Sequence, residues 1–185
     1  MALKYLHEAM VYYQAIGDVK SRNKTLSNIG LLYMDINNYE KAGQHFYESL
    51  QNYEKVHDSI GIANAFANLG ILYHNMNNTD SALYYMDKSI ELNKKLKNFY
   101  GLCVALAGQA SLYLSNNNYD LAIKKNQHSL KIAKQIHHSY QTAMAHLGLA
   151  EAYAKSGMRT EGRTYADSAM EIAEQQGNKK LQLEA

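Results

Sequence analysis

Ile29-Gly30-Leu31-Leu32-Tyr33-Met34-Asp35-Ile36-Asn37-Asn38-Tyr39-Glu40-Lys41-Ala42 is the stretch whose reading decides the fold. It sets a small residue three positions before a tyrosine, breaks at two asparagines, and resumes with a second small residue. The pattern returns as Leu69-Gly70-Ile71-Leu72-Tyr73 with Thr79-Asp80-Ser81-Ala82. Tyr33, Tyr73, Tyr113 and Tyr153 recur at one constant spacing, each three positions after Gly30, Gly70, Ala110 or Ala150. Other columns with the same spacing hold Ala2, Ala42, Ala82, Ala122 and Gly162, then Met10, Leu50, Ile90, Leu130 and Met170, then Ile16, Val56, Leu96, Ile136 and Gln176. Columns that stay in register along the whole chain mark a repeat architecture, in which each unit buries its apolar face only by stacking on the next.

Within a unit the apolar positions recur at every third and fourth place, the spacing of one helical face. Leu26, Ile29, Gly30 and Tyr33 make one stripe, and Ala42, Phe46, Ser49, Leu50, Tyr53 and Val56 make another. Between the stripes, Asn37-Asn38, Asn77-Asn78, Asn117-Asn118 and Gly157 predict a turn, since Asn and Gly tolerate the left-handed conformation that closes a helix. Glu40, Asp80, Asp120 and Glu161 follow, where the next helix dipole is positive. Small residues in the Gly30 and Ala42 columns predict close approach of the two helix axes. Composition agrees: with no proline and only 11 glycines in 185 residues, helix joins helix through tight turns.

These residues resemble the tetratricopeptide repeat, a helix-turn-helix unit with an L-G-x-x-Y stretch in its first helix and Y-x-x-A opening its second. The third and fourth units fit less closely, as Gln109-Ala110-Ser111-Leu112-Tyr113 with Tyr119-Asp120-Leu121-Ala122 and Leu149-Ala150-Glu151-Ala152-Tyr153 with Arg159-Thr160-Glu161-Gly162. The 40-residue period exceeds the family's usual 34 and is similar to the long units of kinesin light chains and of bacterial sensor and regulator proteins. The family's closing proline is absent, and Asp58, Asn98, His138 and Asn178 stand near the inter-unit turns as caps for the next helix. The resemblance implies an all-α fold, a right-handed solenoid of antiparallel helix hairpins.

The columns divide the chain into the second helix of a partial repeat at 1–18, repeats at 19–58, 59–98, 99–138 and 139–178, and the opening of a further repeat at 179–185. Neither end carries a polar capping unit, so the chain reads as a segment of a longer protein or as one whose ends pair with another copy. The faces carrying Ala2, Leu6 and Met10 and carrying Leu181 and Leu183 are where such a homo-oligomer would form.

The net charge is +2, from 19 Lys+Arg against 17 Asp+Glu, so no global field draws the chain to nucleic acid. No apolar run approaches the roughly 20 residues of a membrane span, and no secretory signal opens the sequence. Location is left open, with the cytoplasm slightly favoured. The single Cys103 excludes an internal disulfide and paired-cysteine zinc sites, and reads as a buried, inert thiol. No two of the eight histidines stand at the i, i+4 spacing of a helical metal pair. Without a phosphate-cradling glycine loop or a nucleophile motif, no catalytic residue, metal or cofactor is expected. Lys88, Lys94, Lys95, Lys97, Lys124, Lys125, Lys131 and Lys134 read as a solvated convex face. The Tyr33 column reads as core, while Tyr5, Tyr47, Tyr84, Tyr85 and Tyr165 stay ambiguous.

In such a solenoid the first helices line the concave side, and helical spacing selects the residues turned from the stacking stripe. They are Lys24, Ser27, Asn28, Leu31 and Asp35, then Asn64, Asn68, Ile71 and Asn75, with Ser111 and Glu151 from the later units. In the resembled long-unit repeats, asparagines at the places of Asn28 and Asn68 hold the backbone of an extended peptide. An amide offers a donor and an acceptor to a peptide unit of any sequence. Gly108 and Gly148 interrupt that ladder and open space. The expected function is a protein- or peptide-binding scaffold, an input segment of a larger bacterial sensor or transcription regulator. The alternative is a structural spacer that assembles through its ends. A phosphatase of the kind built on such repeats would need catalytic groups from an added helical bundle.

Overall fold

The computed structural model describes residues 2–175 and 177. Its helices are α1 (Ala2–Ala15), α2 (Val19–Asp35), α3 (Tyr39–Lys55), α4 (Ser59–Asn75), α5 (Thr79–Lys95), α6 (Phe99–Ser115), α7 (Tyr119–Gln135), α8 (Ser139–Lys155) and α9 (Arg159–Gln175). The expected opening of a further repeat at 179–185, with Leu181 and Leu183, and the capping role expected of Asn178 lie outside the described residues. The chain forms two compact units, Met1–Leu92 and Asn93–Ala185. In the first, α1 packs on α2, α2 on α3, α3 on α4, and α2 also meets α4; in the second, α6 packs on α7, α7 on α8, α8 on α9, and α6 meets α8.

The turns follow the asparagine pattern. Asn37, Asn77 and Asn117 hold φ of 57°, 57° and 58°, and Gly157 holds 90°. The next residue returns its N–H to the tyrosine column: Asn38 to the Tyr33 carbonyl, Asn78 to Tyr73 and Asn118 to Tyr113, each at 2.8 Å. With the Asn37 N–H on the Met34 carbonyl at 2.9 Å, this is the paired bonding that satisfies the last carbonyls of a helix. The helices then open on side-chain caps. Asp58 accepts from the Gly61 N–H at 2.9 Å, Asn98 from Gly101 at 3.2 Å, and the His138 Nδ1 from Gln141 at 3.2 Å.

The inter-unit turns hold a strained position that the sequence pattern did not mark. His57, Lys97 and His137 adopt φ of 54°, 53° and 51°, at the place taken by Gly17 and Gly177 elsewhere. A side chain with a Cβ meets the following carbonyl there, and Asn bears this better than Lys. Lys97→Gly is therefore expected to stabilise the chain by about 1 kcal/mol, read as a higher urea midpoint. A lower midpoint would show that the lysine side chain contributes more than its backbone costs.

The small columns set the helix spacing. A Cβ on Gly30 would stand 2.5 Å from the Phe46 ring, and one on Gly70 would stand 2.9 Å from Met86 Cγ. Ala42, Ala82 and Ala122 are completely buried on the facing helices. In the first unit Ala42, Phe46, Leu50, Tyr53, Ala65, Leu69 and Leu72 form one apolar cluster. In the second, Leu114, Ala122, Ile123, Leu149 and Ala152 form another.

Candidate binding surfaces

In the first unit, Lys24, Ser27, Asn28, Leu31 and Asp35 lie on α2, and Asn64, Asn68, Ile71 and Asn75 on α4, the two first helices that meet each other. Lys24, Asn28, Asp35, Asn64 and Asn75 are exposed, while Leu31, Asn68 and Ile71 are half-buried. Two members turn inward. The Ser27 hydroxyl shares a 2.9 Å hydrogen bond with that of Ser49 on α3, and Leu31 packs against the apolar cluster. Asn28 and Asn68 sit at equivalent places of successive repeats, and among the described residues no hydrogen bond engages either side-chain amide.

The tyrosine column is only half-buried, which corrects its reading as core. Each ring instead rests at the hairpin edge against a partner from the second helix. Tyr33 stacks on His45 with centroids 5.5 Å apart, Tyr73 on Tyr85 at 5.5 Å, and Tyr153 on Tyr165 at 5.4 Å. Lys125 Nζ takes the equivalent place 5.9 Å over the Tyr113 ring. Tyr47 adds hydroxyl bonds of 2.9 Å to both Tyr73 and Tyr85, and burial holds its phenol far above the ordinary range. Of the ambiguous tyrosines, Tyr5 and Tyr84 are exposed and Tyr47, Tyr85 and Tyr165 half-buried. On α1, Leu6 and Met10 are half-buried, whereas Tyr5, Val11, Tyr12 and the following Ile16 face solvent.

The second unit holds a cavity of about 600 Å³ between α6, α7, α8 and α9. Leu114, Met144 and Leu147 wall it, and the exposed Ser111, Glu151 and Arg163 rim it. The two later site residues expected from sequence, Ser111 and Glu151, thus meet at one opening. Glu151 is tied to Lys155 at 2.8 Å, and this bond raises the lysine's pKa. Asn126 of α7 also lines the cavity, although only 4% of it is exposed. A Cβ on Gly148 would stand 2.6 Å from the Asn126 Oδ1, so this glycine makes room for the amide. Among the described residues no hydrogen bond engages its side-chain amide.

Asn126 is not among the residues that helical spacing selects, because it sits on a second helix. The signal lies one column over. Phe46, Met86, Asn126 and Ala166 occupy one place of the repeat. Where the first unit fills that place with Phe and Met, the second has an amide and a methyl, and the lost volume appears as the cavity.

Elsewhere the chemistry is quiet. Cys103 is buried, burial raises its thiol pKa, and its Sγ lies 3.6 Å from the Ser129 carbonyl. His146 is buried beside Tyr165 at 5.6 Å, and burial lowers its pKa. Among the described residues no three His, Cys, Asp or Glu side chains group closely enough to hold a metal ion. No helix of the described residues is long and apolar enough to cross a membrane. Lys94, Lys95, Lys97, Lys124, Lys131 and Lys134 are exposed, as is Lys88, which lies 5.5 Å over the Tyr84 ring.

Residues 21–95 match the family model described as tetratricopeptide repeat. These residues are tetratricopeptide repeats. The same helix pattern continues through α9, and solved structures of this fold extend over nearly the whole chain. Aspartyl phosphate phosphatase F from Bacillus subtilis is similar at a TM-score of 0.84 and 12% identity, over 97% of this chain and 47% of that one. A signal transduction ATPase with numerous domains and a tetratricopeptide repeat sensor, from Pyrococcus horikoshii, gives 0.76 and 20%, over 92% and 26%. A Rap protein complexed with competence and sporulation factor gives 0.74 and 16%, over 88% and 46%. The chain therefore spans a quarter to a half of these proteins. At these identities the likeness is one of fold: an α-solenoid of helix hairpins. No curated protein matches the chain.

Proposed function

We propose that the tetratricopeptide repeats of this chain form a protein- or peptide-binding scaffold that serves as an interaction or input segment of a larger sensor or regulator. The observation that carries the reading is the pair Asn28 and Asn68, equivalent amides on the adjoining first helices α2 and α4, both without a partner among the described residues. Two such amides one repeat apart, each able to donate and accept, suit the backbone of an extended segment. A tetratricopeptide repeat sensor in the Pyrococcus horikoshii ATPase, and a bound factor in the Rap protein, support the role by analogy of fold. The scaffold reading gives the chain no catalytic residue.

The test is a peptide selected on the purified chain from a displayed library, with affinity then measured by calorimetry. The double change Asn28→Ala with Asn68→Ala removes two hydrogen-bonding amides from the surface without opening a core cavity. At about 0.5–1.5 kcal/mol for each neutral bond, affinity is expected to fall about tenfold or more, with helical circular dichroism unchanged. Lys94→Ala with Lys131→Ala is expected to leave affinity nearly intact at moderate salt. A peptide kept by the asparagine variant and lost by the lysine variant would move the binding surface to the basic face.

A further inference from the structure

The geometry points to a side-chain pocket in the second unit, floored by Asn126, that binds the carboxamide of a glutamine or asparagine in a partner segment. It rests on the scaffold reading and names the chemistry that one part of the scaffold selects. Asn126 is only 4% exposed and lines the cavity of about 600 Å³, and its side-chain amide has no hydrogen-bond partner among the described residues. The cradle around it is built: Gly148 supplies the room, since any Cβ there would meet the amide at 2.6–2.7 Å. The Asn126 amide meets solvent at the cavity, so a group that enters there displaces its water and must replace the hydrogen bonds that water made.

The identity of that group follows by elimination. A hydrocarbon side chain would fill the space between Leu114, Met144 and Leu147 but leave the Asn126 donor and acceptor buried and unpaired. A carboxylate or ammonium would bring a full charge to the buried floor, where one neutral amide replaces its water. Glu151 is already engaged by Lys155, and it and Arg163 are exposed, so both charges lie at the rim. A hydroxyl donates and accepts through one oxygen, which cannot line up with Asn126 Oδ1 and Nδ2 at once. A carboxamide donates to Asn126 Oδ1 and accepts from Asn126 Nδ2 at once, closing a two-bond ring. The apolar stem of glutamine suits the walls above that head.

The probe is N-acetyl-glutamine methylamide, titrated into the full chain with ¹⁵N–¹H shifts recorded, beside the matching glutamate and leucine compounds. The expected result is saturable movement of the Ser111, Leu147 and Glu151 signals and of the Asn126 side-chain amide. The glutamate and leucine compounds are expected to bind about tenfold more weakly. Asn126→Leu restores an apolar residue of the kind that Phe46 and Met86 place in this column, so the fold should hold while glutamine binding falls about tenfold. Asn126→Asp, which keeps the volume but loses the donor, is expected to do the same. The proposal is overturned if the leucine compound binds as tightly as the glutamine one, if binding survives Asn126→Leu, or if no second-unit signal moves up to the solubility limit. Movement confined to Asn28 and Asn68 overturns it while leaving the first-unit ladder standing, so the two readings fail separately.

Discussion

Phe46→Ala is expected to lower the unfolding free energy by about 3–5 kcal/mol. Phe46 is completely buried, packs against Ala42, Leu50, Leu69 and their neighbours in one cluster, and has its ring edge over Gly30. Glycine at position 30 cannot fill the gap when the ring is removed, and the backbone of α2 would have to shift to do so. The loss therefore combines the transfer term with a residual cavity. Against a typical domain stability of about 5–15 kcal/mol, it is large enough to melt the first unit at mild temperature. Urea denaturation followed by circular dichroism measures it. A cost under about 1 kcal/mol, well below the range for a buried phenylalanine, would mean that the stacking of α2 on α3 does not depend on this ring.

The helices and turns are legible because the repeat period leaves little freedom. Once Tyr33 and Tyr73 recur with Asn37-Asn38 and Asn77-Asn78 between the stripes, each left-handed turn has one place to fall. What the columns cannot show is how deeply a residue sits. Tyr33, Tyr73 and Tyr153 share a column with core-like regularity, yet their half-buried rings lie against His45, Tyr85 and Tyr165. Recurrence reports a shared environment, and an edge-stacked ring recurs as faithfully as a buried one. His57, Lys97 and His137 escape the pattern for the opposite reason: their left-handed backbone is imposed by the unit spacing, against residue preference.

The candidate binding surfaces are legible in part. Helical spacing places Asn28 and Asn68 on one side of α2 and α4, but it cannot show that Ser27 turns to Ser49. Assigning ligand contacts to first helices alone passes over Asn126, since nothing in its own helix marks it. It becomes visible only beside Phe46, Met86 and Ala166, as the place where a repeat gives up volume.

The same comparison yields a reversal of sign. Gly30→Ala alone is expected to destabilise the chain by about 1–3 kcal/mol, because the new Cβ would meet Phe46 Cε1 at 2.5 Å and Cδ1 at 2.7 Å. Phe46 is completely buried, so its ring has no free space into which to retreat. In a Phe46→Ala background those ring atoms are gone. Gly30→Ala then replaces a helix-interior glycine with the best helix former and is expected to gain about 0.5–1 kcal/mol. The coupling between the sites, measured by a double-mutant cycle in urea, should be about 1.5–4 kcal/mol. The chain already contains both versions of this exchange. Gly30 and Gly70 stand in repeats that carry Phe46 and Met86, whereas Ala110 and Ala150 stand in repeats that carry Asn126 and Ala166. An equal cost for Gly30→Ala in both backgrounds would mean that the ring does not set the helix spacing, and that glycine gives way to alanine along this column for another reason.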